Sequence, residues 1–199
     1  MLIGSNNSLT YLEPSSWWFK IFKWFNRCQS LPCDIQYTFW GVRMFDFRIY
    51  ADKKNHIVVK NGKCVYPIFS FYKILDYFDK REDVIVLMTL DSSLEEHYEK
   101  IDTPSIEAKF KNTCKNIEFI YKHIGFCGGY RKFDKKVLYN FDWEMKNGMP
   151  KVISPSQWSS AYRFITKWCP FLIGRFNNMY IDRYKGNEGY LMLNYVNKR

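Results

Sequence analysis

Residues 83–90, Asp-Val-Ile-Val-Leu-Met-Thr-Leu, form an almost unbroken apolar run. A strand covered on one face alternates apolar and polar residues, and this one does not. Both of its faces must be covered, which is how strands of a parallel sheet inside an α/β fold read. Two neighbours support that class. Gly41–Tyr50 reads as a second strand: Val42 and Met44 alternate with Arg43, while Phe45 and Phe47 flank Asp46. Residues 69–80 read as an amphipathic helix with Phe71, Leu75 and Phe78 on one face.

The rest of the chain follows the same alternation. Leu2-Ile3 is a short strand that runs into a polar turn at 4–8. Pro14-Ser15-Ser16 opens a helix that continues to about Gln29. His56–Lys60 is a third strand. Ser92 with Glu95, and Ser93 with Glu96, fit a capping box for a short helix. Thr103-Pro104 opens a helix to about His123, with Ile106, Phe110, Cys114 and Ile117 on one face. Later strands are expected at 136–141, 151–154 and 190–196, and a helix at 156–168. Strands alternating with helices mark one α/β domain over residues 1–199, with no repeat and no linker.

Aromatic residues make up 20% of the chain, so large rings must build the core or line a pocket. The formal charge of +10 favours anionic partners without choosing among them. The lysines are dispersed, and no nucleic-acid polymer is expected as a partner. The six cysteines, Cys28, Cys33, Cys64, Cys114, Cys127 and Cys169, form no CxxC pair and have no histidine at ligand spacing. That argues against a zinc site. The opening Met1-Leu2-Ile3-Gly4 has no basic leader region, and no run of about 18 apolar residues exists to span a membrane. Free thiols in a cytoplasmic setting are therefore expected.

Polar residues gather where strands end. Asn6 and Asn7 follow the first strand, Asp46 and Arg48 lie on the second, Lys60 and Asn61 close the third, Asp91 follows the fourth, and Asn194 falls in the last. With their flanks these read GSNNS at 4–8, GVRMFDFR at 41–48, VVKNG at 58–62, VIVLMTLD at 84–91 and YLMLNY at 190–195. In that order they resemble the X-domain of phosphatidylinositol-specific phospholipase C and the wider phospholipase C-like phosphodiesterases. The resemblance is nearer to compact bacterial or phage-type members. It implies a TIM-like (β/α) barrel, compact or incomplete, since 199 residues is short against the roughly 250 of a full barrel.

The resemblance also implies roles. The histidine that acts as general base in active members falls on Asn6. The histidine that protonates the leaving group falls on Asn61. The aspartate that orients the first histidine falls on Asn194. The arginine that stabilises phosphate charge is kept as Arg48. An asparagine amide does not titrate near neutral pH, so it neither takes nor delivers a proton usefully. Each lost acid or base is worth roughly 10²–10⁴-fold in rate. His56, His97 and His123 do not stand where they could substitute. Asn7, Asp46, Arg48, Lys60 and Asp91 are the expected ligand-binding residues. No cofactor is expected. Asn7, Asp46 and Asp91 match three calcium positions of calcium-dependent relatives, but Arg48 stands in the place of a fourth ligand and repels a cation.

The segment WWFKIFKWF at 17–25 is similar to the helix that carries an interfacial tryptophan in bacterial phospholipases. Trp17, Trp18 and Trp24 with Lys20 and Lys23 suit an anionic lipid surface. The plainer expectation is that Trp18, Phe22 and Phe25 pack on the barrel. Three functions follow from these readings. The first is a catalytically degenerate protein that holds a cyclic nucleotide-type signal or an inositol phosphate, with a viral counter-defence sponge as one setting. The second is an active phosphoric diester hydrolase with a variant mechanism. The third is a docking module built on the aromatic helix.

Overall fold

A computed structural model describes residues 1–5, 8–21, 23, 27–51, 57–61, 64–91, 108–115, 117–122, 152–153, 155 and 159–199. The strands are β1 (Leu2–Ser5), β2 (Val42–Ala51), β3 (Ile57–Asn61), β4 (Cys64–Tyr66), β5 (Ile85–Asp91), β6 (Ile117–Lys122), β7 (Val152–Ile153) and β8 (Tyr190–Leu193). The helices are α1 (Trp17–Ile21), α2 (Cys33–Trp40), α3 (Ile68–Asp79), α4 (Ser160–Trp168) and α5 (Ile173–Tyr184). A 3-10 turn spans Ser8–Tyr11.

Six strands run parallel in the order β7-β8-β1-β2-β5-β6. Strand β5 is flanked in parallel on both edges, which explains its unbroken apolar sequence. Strand β2 is the junction. Its residues Met44–Tyr50 pair with β5 along one edge. Its other edge is shared end to end: β1 takes Val42–Phe45, and β3 takes Ile49–Ala51 in antiparallel register. The hairpin β3–β4 therefore hangs on the C-terminal half of β2.

The expected TIM-like closure is not found: among the described residues β6 and β7 do not pair, and the sheet stays open. The expected strand at 136–141 and the capped helix after Ser92 lie outside the described residues.

One face of the sheet is an aromatic core. Phe45, Phe47 and Ile49 alternate along β2 onto α3, whose Phe71, Leu75 and Phe78 are buried as their helical spacing predicts. Phe45 lies 4.4 Å from Phe78, Phe47 5.7 Å from Phe71, and Phe71 5.6 Å from Phe110, centroid to centroid. Full burial of each such ring stabilises the fold by about 1.5–3 kcal/mol, and the packed pairs add a further increment.

Local readings fail where tertiary pairing overrides helical spacing. Of the helix expected over 103–123, residues 108–111 are helical, residues 103–107 lie outside the described residues, and Ile117–Lys122 joins β5 as a strand. Its sequence, Ile-Glu-Phe-Ile-Tyr-Lys, suits a strand once β5 offers a free edge. The helix expected to reach Gln29 ends earlier, since 27–30 are not helical. There the backbone N–H groups of Cys28 and Gln29 donate to Thr10 Oγ1, and the buried Gln29 amide donates to Leu193 O. Helices α2 and α5 and strand β4 were not legible. Helix α2 stops at Gly41, whose φ of 59° is open to glycine and strained for other residues.

A buried polar cluster closes the far end of β8. Tyr162 Oη donates to Asn177 Oδ1 at 2.7 Å and accepts from the Asn194 backbone N–H at 2.8 Å. Asn177 Nδ2 donates to Asn194 O and Lys198 O. Tyr162→Phe strands both of its partners, so a loss of about 1–3 kcal/mol in urea unfolding is expected. Tyrosines also set an alkaline limit. Burial pushes the Tyr195 hydroxyl from its ordinary 10.0 up to about 12 and raises Tyr11, Tyr66 and Tyr162 as well. Protons are then held in the folded state after the unfolded chain has released them. That stability is whole below pH 10 and is lost as pH rises through 10 to 12. Urea midpoints measured from pH 8 upward should fall in that window, less steeply in Tyr195→Phe.

Candidate functional site

The face of β2 opposite the aromatic core is set by the even positions Met44, Asp46 and Arg48. Met44 is fully buried. In register beside it, Gly4 of β1 faces Met192 of β8. A Cβ on residue 4 would lie 2.1 Å from Met192 Sδ, so glycine is what lets the thioether cross β1. These residues make an apolar floor. One step toward the strand ends stands Asp46, 5% exposed, and one step further Arg48.

Arg48 Nε lies 3.6 Å from Asp46 Oδ2, with side-chain exposures of 18% and 7%. At that distance the pair is ionic without a hydrogen bond. Arg48 Nε is buried and has no hydrogen-bond partner among the described residues. A guanidinium offers five donors in a planar fork and cannot be deprotonated. Asp46 holds the arginine by charge while leaving that donor unspent among the described residues.

The other expected site residues are placed unevenly. Asn6, Asn7 and Trp24 lie outside the described residues, as do His56, His97 and His123. Asn61 ends β3 opposite Cys64. Lys60 pairs with Val65. Asp91 closes β5 between Tyr50 and Lys122.

Asn194 lies one residue past β8 instead of inside it. It is 2% exposed, and its Nδ2 donates to Thr166 Oγ1 on α4 at 3.0 Å. The surroundings of Asn194 were missed from sequence. Tyr162, Thr166 and Asn177 sit on the inner faces of α4 and α5, and the only sign of them was polar residues recurring on otherwise buried helix faces.

Of the calcium set Asn7, Asp46 and Asp91, Asp46 is held by the Arg48 guanidinium, which disfavours a second cation there. Among the described residues no three His, Cys, Asp or Glu side chains cluster as metal ligands. The packing expected of Trp18 is corrected: α1 buries none of its residues, and Trp17 and Trp18 are 60% and 58% exposed, while Phe22 and Phe25 lie outside the described residues. Their rings stack on each other, centroids 4.0 Å apart, instead of on the sheet. Lys23 is paired with Glu13. No helix among the described residues is long and apolar enough to cross a membrane.

The Gly4–Met192 contact gives a direct check on the floor. Gly4→Ala should cost about 1–3 kcal/mol in unfolding free energy through overpacking. Met192→Ala in the same chain should return most of that added cost, read by a double-mutant cycle.

No protein-family model matches the chain, and no curated protein matches it. A solved structure does: a double mutant of the phosphatidylinositol-specific phospholipase C of S. aureus. The match covers 98% of this chain and 84% of that one at a TM-score of 0.59, with 13% sequence identity. A likeness at that identity concerns the fold: this chain has a phospholipase C-like α/β fold.

Proposed function

We propose that the chain binds a phosphate-bearing small molecule on the inner face of its sheet, through Arg48, and does not turn it over. The observation that carries this reading is the buried Arg48 Nε, which has no hydrogen-bond partner among the described residues and is held by Asp46 at 3.6 Å beside an apolar floor. The absence of turnover rests on the sequence. Asn6, Asn61 and Asn194 stand where the resemblance expects histidine, histidine and aspartate. None of the three can run proton transfer near neutral pH. Asn7, Lys60 and Asp91 complete the proposed ligand set.

Cyclic nucleotide-type signals and inositol phosphates are the ligand classes of first choice. Both present a phosphate beside a ring that an apolar floor can accept. A protein that binds such a signal tightly without cleaving it removes it from circulation, which is the sponge role proposed for a viral setting. A second reading has its own observation: the exposed, stacked Trp17 and Trp18 beside Lys20 suit peripheral contact with a lipid surface.

Titration calorimetry against a panel of cyclic nucleotides and inositol phosphates tests the main reading. At least one should bind, Arg48→Met should weaken it by about tenfold or more, and the ligand should be recovered intact after denaturation. Turnover that disappears in Asp46→Ala would overturn the reading and support a diester hydrolase with a variant mechanism. In the Asn6→His, Asn61→His double variant, with Asn194→Asp added, cleavage should appear.

A further inference from the structure

We infer that the outer face of α4 is a docking surface for an acidic amphipathic helix of a partner protein. The inference is independent of the phosphate-binding reading. A helix in an α/β fold turns its apolar stripe to the sheet and its polar residues to solvent. Helix α3 does so: Phe71, Leu75 and Phe78 are buried, while Lys73, Asp76 and Lys80 are exposed. Helix α4 is built the other way round. Its buried residues are Tyr162 and Thr166. Their hydroxyls bond to Asn177, to Asn194 and to the helix backbone. On the outside stand Ala161, Phe164 and Trp168, and Phe171 follows in the turn after the helix. Phe164, Trp168 and Phe171 are 59%, 49% and 75% exposed.

Rings grouped in this way on a surface mark a place of contact, and their spacing fits one kind of contact. Residues 161, 164 and 168 are three and four apart, so they form a single stripe along the helix. Tyr162 and Thr166 fall on the opposite side and anchor α4 to the protein while the stripe faces outward. Alternate steps of three and four are the seam along which one helix receives another. A bilayer calls for a broad apolar face. This stripe is one side chain wide. The neighbouring α5 exposes Arg175, Asn178, Asp182 and Arg183, with Met179 its one exposed apolar residue.

Charge selects the partner. From Lys151 to Ile181 the sequence holds no aspartate and no glutamate. Arg163 and Lys167 are exposed one turn apart along one side of the stripe, and Arg175 is exposed on α5. Lys167 Nζ lies 5.4 Å over the Trp168 ring, which joins charge and ring in one surface. Charges beside a helical seam set which helix pairs with it. A second copy docked face to face would bring the same cations together with no carboxylate to meet them. A helix with an apolar seam edged by glutamate or aspartate covers the rings and meets the cations with opposite charge.

Fluorescence anisotropy of labelled helical peptides, added to the full chain, tests the surface. The probe is a peptide of about three heptads with leucine at the seam and glutamate beside it. The control keeps the seam and carries lysine in place of glutamate. The acidic peptide should bind about tenfold more tightly than the control or better. Phe164→Ser and Trp168→Ala should each weaken it about tenfold. Arg163→Glu with Lys167→Glu should reverse the preference between the two peptides, and it serves if the ring variants fold poorly. No binding of the acidic peptide, equal affinity for both peptides, or binding that ignores Phe164→Ser and Trp168→Ala overturns the inference. Binding to phosphatidylserine vesicles that these variants abolish would overturn it in favour of a membrane. A concentration-dependent dimer that dissociates in Phe164→Ser would overturn it in favour of a second copy.

Discussion

Everything in this molecule hangs on β2, a strand that pairs with three others and separates two chemistries by alternation. Its odd positions, Phe45, Phe47 and Ile49, enter an aromatic core against α3. Its even positions, Met44, Asp46 and Arg48, face the other way. A one-residue slip of register would exchange the two sets, burying an aspartate and an arginine among phenylalanine rings. The cost of that exchange fixes the register. The fixed register in turn holds Arg48 at a constant height above the apolar floor of Met44, Gly4 and Met192. The site is thus a by-product of how the core is built.

The end of the sheet is secured separately. The segment 27–30 lies against the end of β8, where Gln29 bridges Leu193 O and the Val196 N–H, and Tyr162 with Asn177 satisfies the backbone that leaves the strand. Buried peptide groups need such partners once the ladder stops. The Asn194 amide belongs to this cluster through Thr166. An aspartate there would bring a charge into a buried network, whereas asparagine fits it neutral.

How much of this was legible depended on whether local pattern and tertiary demand agreed. The run at 84–90 could only be a doubly covered strand, and β5 is one. Phe71, Leu75 and Phe78 face the core because helical spacing and burial ask for the same side. The Asp46–Arg48 pair was legible as a pair because two charges interrupt an aromatic strand, and the structure sets them 3.6 Å apart. Ile117–Lys122 misled because its apolar spacing continued a helix while its residue types suited a strand, and the free edge of β5 decided. Barrel closure was inferred from family resemblance, and no residue pattern supported it. The exposure of Trp17 and Trp18 was hidden because tryptophan at helical spacing reads as core, and nothing local says whether a partner surface is present.

Phosphorus NMR of a cyclic phosphodiester incubated with the protein tests binding without proton transfer most directly. The expected result is a diester resonance that shifts or broadens with wild-type protein, returns to its free position with Arg48→Met, and stays a diester on prolonged incubation. Growth of a monoester resonance with the wild-type protein would contradict the central claim, as would a diester signal that never responds to it.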